Sequence, residues 1–147
     1  MNGKEHAAIG LFAGPVTGLA LLIETNRSPT FAEVCGWAVG GLGGAKLPDI
    51  LEPAIHPGHR QFCHSGTVLA ADLAFLQSAT LKSWIQWLHD EAAKQRMKAL
   101  ANPENAILHS MAALILEFAA GALPALFAGY ASHLLADCTT PCGIPIC

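Results

Sequence analysis

Residues 105–137, NAILHSMAALILEFAAGALPALFAGYASHLLAD, decide the fold. The stretch is mainly apolar and too long for a strand, so it predicts helix. Because a proline inside a helix removes a backbone hydrogen bond, we predict two helical segments, interrupted near Glu117 and Pro124, the second ending near Asp137. No strand-like alternation, internal repeat or low-complexity tract stands out, so the predicted fold class is all-α.

The N-terminal part of the chain predicts two more helices. Residues 7–23 are apolar and contain small residues that allow close contact between helices, and their length is at the lower edge of what crosses a bilayer. A second helix should follow a cap at Thr30, with Glu33 completing the capping pattern. That helix should fade in the glycine-rich segment 40–46, since repeated glycine favours a close-packed or irregular backbone.

The middle of the chain predicts a helical region from about Ser65, in two pieces that meet around residues 78–80. Its second half is amphipathic and should face water, and His89 on its charged side is expected to be solvated. Together these elements predict a single helical domain over residues 1–147, built as a compact bundle of about five to six helices.

Composition narrows the classes of function. The chain has 147 residues, of which 52% are hydrophobic and 13% charged, and its mean hydropathy is +0.40. These values favour a compact helical or membrane-linked domain, and they fit both a membrane-associated and a cytoplasmic location. The net charge of −3 leaves no basic stripe for a phosphate backbone, so nucleic acid is not indicated as a partner, and no protein partner is identified.

Coordinating side chains gather in residues 47–65, LPDILEPAIHPGHRQFCHS. Asp49 follows a glycine-rich entry, and His59 and His64 lie in a turn that leads into a helix. Imidazole and carboxylate suit zinc and other divalent first-row metals, with manganese and iron as alternatives. The stretch therefore contains candidate metal ligands.

Further candidate ligands lie near the two ends of the chain. His133 and Asp137 are four residues apart, so on a helix both project from one face and could bind one metal ion together. The pair alone is a weak signal, since a capping or hydrogen-bonded histidine gives the same spacing. His6, at the beginning of the first apolar helix, is either a ligand or a solvent-facing cap residue.

These motifs, taken in order, resemble the YdjM family of inner-membrane-associated metal-dependent hydrolases. The likeness spans most of the chain, from His6 to Gly143, and rests on LPD, HRQFCHS and SHLLAD. It extends more remotely to zinc-dependent phospholipase C and its single-strand nuclease relatives, whose all-α domains hold metals between helices. It implies a metal site between the first helix, the 47–65 loop and the last helix. The residues that match the family's polar positions are His6, Asp49, His59, His64, His133 and Asp137.

The chain departs from the family pattern around this loop. After LPD the family has another aspartate, whereas this chain continues Ile50-Leu51-Glu52, which makes Glu52 an alternative second acidic ligand. In HRQFCHS the family's glycine and threonine are replaced, while both histidines, Arg60 and Ser65 are kept.

The resemblance implies hydrolysis of a phosphoester by metal-activated water, with an acyl bond as the other candidate. Asp49 or Asp137 would bridge metals or orient the water, and Arg60 would clamp an anionic phosphate, unless it pairs with Asp49 or Glu52 instead. The substrate would be a phosphate-containing small molecule or lipid at the membrane. The alternative is a non-catalytic helical binding or membrane-associated interaction module, whose metal site is structural or degenerate.

Other polar residues have weaker claims to a functional role. Ser65 is expected to cap the following helix rather than act as a nucleophile, and Cys63 is a second candidate nucleophile. His109 and Glu117 are eight residues apart on one apolar helix, so they could share a face and extend the site inward.

Overall fold

The structure, a computed structural model, describes residues 3–53 and 62–139. Within these ranges the chain forms six α-helices and one short 3-10 helix, and no strand. The predicted all-α class and the predicted number of helices are therefore confirmed. The helices are α1 (Gly3–Thr25), α2 (Phe31–Gly44), α3 (Leu47–Leu51), α4 (Gly66–Leu76), α5 (Ala79–Ala101) and α6 (Ala106–Cys138), with the 3-10 turn Pro103–Asn105 between α5 and α6.

The long C-terminal stretch is one continuous helix, so the prediction of two segments is wrong. α6 runs for 33 residues and passes through both Glu117 and Pro124. Pro124 cannot donate a backbone hydrogen bond to the carbonyl of Ala120, at a local cost of about 3 kcal/mol. Both residues are buried in the bundle, where α1, α2 and α5 pack on α6. Tertiary packing outweighs the local preference of the sequence.

α2 continues through its glycines to Gly44, although the sequence predicted that it would fade there. The glycines stay helical because they lie directly against the backbones of neighbouring helices. A side chain on Gly41 would collide with the carbonyl oxygen of Gly10 in α1, and one on Gly44 would collide with Leu126 in α6. The missing side chains allow α1, α2 and α6 to approach closely.

Helices α2, α4 and α5 each begin after a hydroxyl side chain. The side-chain oxygens of Thr30, Ser65 and Ser78 accept hydrogen bonds from backbone N–H groups three residues later, at 3.2, 3.2 and 3.1 Å. Each bond satisfies a backbone donor that the first turn of a helix leaves without a partner. The predicted caps at Thr30 and Ser65, and the predicted break near Ser78, are confirmed.

α6 is the central helix of the bundle. α1 packs antiparallel to it, with His6 lying 3.3 Å from Asp137 and Gly14 facing Ala125. α2 runs parallel to α6, and α4 and α5 also pack along α6. The start of α1 and the end of α6 therefore meet at one end of the bundle.

A buried carboxylate on α2 is compensated by two side chains from other segments. Arg27 Nη2 donates to Glu33 Oε1 at 2.9 Å, and His89 Nε2 lies 3.1 Å from the same oxygen. Burial alone would raise the pKa of Glu33, but the hydrogen bond with His89 and the charge of Arg27 hold it below its usual value. His89 packs against α2, so the expectation that it is solvated is wrong.

A second buried carboxylate, Glu117 on α6, is bound by Arg96 on α5. Arg96 Nε and Nη2 donate to the two Glu117 oxygens at 2.7 and 2.9 Å. His109 Nδ1 lies 2.8 Å from Gln95 Oε1, also between α5 and α6. Glu117 is twenty positions before Asp137, or about 30 Å along the helix. His109 and Glu117 both join α5 to α6. The prediction that these two residues extend the metal site is therefore wrong.

Removing Arg96 is expected to destabilise the fold, because Glu117 would stay buried without a partner. Since the Arg96 side chain is 53% exposed, Arg96→Ala should lower the free energy of unfolding by only about 1–3 kcal/mol. Replacing both residues with methionine should recover most of the loss. Denaturant unfolding measures this, with Lys94→Ala as the control because Lys94 is exposed. An equal loss in the control would contradict the role of the ion pair.

Candidate metal centre

Five of the predicted ligands meet at the end of the bundle where α1 begins and α6 ends. The first turns of α1 supply His6, α3 supplies Asp49, and the last turns of α6 supply His133 and Asp137. His64 lies immediately before the capping residue of α4. All except Asp49 are buried. We call these five residues the His/Asp cluster.

The orientation of His133 is fixed by the end of α2. Its Nδ1 lies 2.7 Å from the carbonyl oxygen of Ala45, the capping residue that follows α2. Because a carbonyl only accepts hydrogen bonds, Nδ1 carries the proton, and Nε2 of the neutral ring presents a lone pair. That Nε2 is buried with no hydrogen-bond partner in residues 3–53 and 62–139, and it faces carboxylate oxygens of Asp49 and Asp137 at 3.6 Å each. A lone pair facing two carboxylates requires a cation between them or a proton on the ring.

The distances inside the cluster are those expected of side chains around a shared cation. His6 Nε2 lies 3.3 Å from Asp137 Oδ1, and His64 Nε2 lies 3.5 Å from Asp49 Oδ1. An ordinary N–H···O hydrogen bond is shorter, at about 2.9 Å. Two ligand atoms that each bind a tetrahedral zinc ion at about 2.1 Å are about 3.4 Å apart. The residues present therefore fit a divalent ion.

The cluster contains two overlapping groups that could hold a metal ion. One consists of His6, His133 and Asp137, and the other of Asp49, His64 and His133. The first group is wholly buried, whereas the second reaches solvent through Asp49, whose side chain is 47% exposed. Structural metal sites are closed by protein ligands, whereas catalytic sites keep an open position. Of the two groups, only the second is accessible from solvent.

Glu52 orients the cluster from outside. Its Oε2 lies 3.1 Å from Nδ1 of His64, and its Oε1 accepts a hydrogen bond from the backbone N–H of Phe62 at 2.8 Å. Nδ1 of His64 therefore donates to a carboxylate and leaves Nε2 turned towards Asp49. Glu52 supports a candidate ligand, which differs from the second-ligand role that the sequence offered for it.

Two predicted site residues, His59 and Arg60, lie outside the described residues, and their roles stay predictions. The carbonyl of Ala45 was missed by the sequence reasoning. Its only signal is its position, because the last carbonyls of a helix have no partner within the helix.

Comparison with known proteins gives the family. The model of the YdjM inner membrane protein family matches residues 1–147. The chain belongs to the YdjM family. Neither a curated protein nor a solved structure matches this YdjM family member.

Family membership and the helices agree on the location, and the predicted association with the inner membrane is confirmed. Two helical segments of this YdjM protein, Lys4–Thr25 and Pro103–Cys138, are long and apolar enough to cross a membrane. Only 28% and 39% of their most apolar windows are buried inside the protein, so both present apolar surface outwards. Four of the five residues of the His/Asp cluster are instead buried in the bundle, which fits the high cost of exposing ionisable groups to hydrocarbon.

Glu52→Gln is expected to weaken metal binding without unfolding the chain. The amide can still contact His64, but it no longer provides a carboxylate that increases the ring's basicity, and such changes cost about 10–100-fold in metal affinity. Competition with a chelator measures the affinity, and Glu104→Gln, on the exposed 3-10 turn, is the matched control. Equal metal affinities in the two variants would contradict the proposal that Glu52 orients His64.

Proposed function

We propose that this YdjM family member is a metal-dependent hydrolase that acts on a phosphoester. The His/Asp cluster would hold the divalent ion, which we take to be zinc, with manganese or iron as alternatives, since its donors are imidazole and carboxylate. The observation that carries the proposal is the buried Nε2 of His133, which faces Asp49 and Asp137 while its Nδ1 is held by the carbonyl of Ala45.

The cluster assigns different tasks to its carboxylates. When bound, a divalent ion lowers the pKa of coordinated water and polarises a phosphoryl oxygen. Asp49 is exposed, so its carboxylate would orient an attacking water and accept its proton. Asp137 is buried between His6 and His133, where it would bind the ion and offset its positive charge.

The choice of a phosphoester rests on the chemistry of the residues. A divalent cation suits a tetrahedral, anionic reaction centre, and an exposed carboxylate beside it could accept a proton. Arg60 would complete the site by donating two parallel hydrogen bonds to the phosphate oxygens. A phosphate-containing lipid or small molecule at the inner membrane would be the substrate.

One observation favours a second candidate function. His6, His133 and Asp137 are all buried, as the ligands of a structural metal are. A chain in which only this group binds an ion would be a non-catalytic, membrane-associated interaction module.

Elemental analysis and an activity assay test the proposal together. Protein purified without chelator should contain a divalent metal and should hydrolyse bis-p-nitrophenyl phosphate. Asp49→Asn should lower the rate by about a hundredfold or more, whereas the exposed Asp90→Asn should leave it unchanged. Bound metal without hydrolysis would favour the structural alternative, and protein that binds no metal after resupply would overturn both.

A further inference from the structure

A cavity lies between α4 and α6, beside the His/Asp cluster. Its volume is about 390 Å³, within the range of sites that bind small molecules. Its lining is largely apolar, and includes Val68 and Phe75 from α4 and Leu126 and Phe127 from α6. The cavity is therefore shaped for an apolar group.

One acidic side chain interrupts this apolar lining. Asp72 is only 8% exposed, and its Oδ2 is buried with no hydrogen-bond partner in the described part of the chain. Burial raises the pKa of Asp72 to about 7, and a hydrogen bond with the backbone of Ala131 opposes the shift. A buried carboxyl oxygen without a partner is costly, so a group in the cavity that bonds it would be favoured. A hydroxyl can bond either form of the carboxyl, since it both donates and accepts.

The cavity adjoins the cluster along α6. Leu126 and His133 are seven residues apart, so they share one face of the helix about two turns apart. Tyr130, which also lines the cavity, is one turn before His133. Its hydroxyl donates to the carbonyl of Cys63, the residue before His64, at 2.8 Å. The Tyr130 hydroxyl already has a hydrogen-bond partner, whereas Asp72 Oδ2 can still bond a ligand in the cavity.

We propose that this cavity binds the chain of a single-chain lipid phosphate, with a glycerol hydroxyl bonded to Asp72 and the phosphate at the His/Asp cluster. The placement of the phosphate rests on the proposed function, whereas the placement of the acyl chain in the cavity does not. One helical turn, about 5 Å, separates the level of Tyr130 from that of His133, which a glycerol backbone can cover. Because the protein is located at the inner membrane, it can encounter such lipids there.

Binding of dodecanoyl glycerol, which carries no phosphate, tests the cavity without using the metal. Full-length protein in a lipid-free amphipol should bind it, and it should bind hexanoyl glycerol much more weakly. Ala71→Phe should lower the affinity for dodecanoyl glycerol by about tenfold or more, because the exposed Ala71 lines the cavity and the new ring would displace methylenes. Ala74→Phe, also exposed on α4 but not lining the cavity, is the matched control and should bind as wild type does.

The contact with Asp72 has its own test. Asp72→Leu should lower the affinity for dodecanoyl glycerol by about three- to tenfold and leave that for methyl dodecanoate, which has no hydroxyl, unchanged. Thermal unfolding of each variant checks that the fold is intact. Equal binding by Ala71→Phe and Ala74→Phe, or a change of oligomeric state in Ala71→Phe without a change in lipid affinity, would overturn the proposal.

A lipid that also carries phosphate separates this proposal from the proposed function. Dodecanoyl glycerol phosphate should bind more tightly than dodecanoyl glycerol, and His133→Ala should remove only that difference. If the two lipids bind equally but both respond to Ala71→Phe, the metal-centre proposal fails while the cavity proposal stands.

Discussion

Replacing His133 with alanine should abolish metal binding. His133 is the residue common to both groups of candidate ligands, so its removal leaves neither group complete. Loss of a residue that merely orients a ligand costs about 10–100-fold in affinity, and loss of this shared ligand should cost more. The metal content of the purified variant and a chelator competition measure the effect.

His109→Ala is the matched control for that experiment. His109 lies on the same helix and is also hydrogen-bonded, but its partner is Gln95 on α5. It should keep the metal content of the wild type, so that a general effect of removing a histidine from α6 is excluded. A His133→Ala protein that retains the wild-type content would refute the cluster as the metal site.

The second large effect is expected at Gly129, where α6 crosses α2. A methyl group on Gly129 would collide with the carbonyl oxygen of Gly41 and lie close to the backbone nitrogen of Ala45. Backbone cannot move aside as a flexible side chain does, so Gly129→Ala should lower the free energy of unfolding by about 1–3 kcal/mol or more. Displacing Ala45 also moves the carbonyl that fixes His133. Metal affinity should therefore fall together with stability, as thermal unfolding and chelator competition would record.

Gly43 offers a control within the same group of glycines. A methyl group there meets nothing within 4 Å. Because glycine inside a helix is less stable than alanine, Gly43→Ala should be neutral or should stabilise by roughly 0.5–1 kcal/mol, with unchanged metal affinity. Equal destabilisation at positions 43 and 129 would mean that close packing does not explain these glycines.

Much of the fold was predictable because local chemistry controls it. The caps Thr30 and Ser65 act on backbone groups three residues away, which a sequence displays directly. The errors arose where distant contacts decide the outcome. Pro124 and the glycines of α2 are poor helix residues by themselves, and they stay helical because other helices bury them. His89 looked solvated because its partner Glu33 is remote in sequence.

The residues of the candidate site were predictable from the sequence, but the groups that orient their side chains were not. The motifs singled out His6, Asp49, His64, His133 and Asp137, which the structure brings together. Which ring nitrogen faces the cluster depends on the partner of the other nitrogen, and no motif encodes that partner.

The order of the chain also decides when the cluster can form. His6 and Asp137 lie near opposite ends of the sequence but 3.3 Å apart in the fold. During synthesis α1 emerges first, and its histidine stays without its carboxylate partner until α6 has been made and inserted. Any ion held by this cluster could therefore bind only after α6 has been made, because both groups of candidate ligands include His133 on α6.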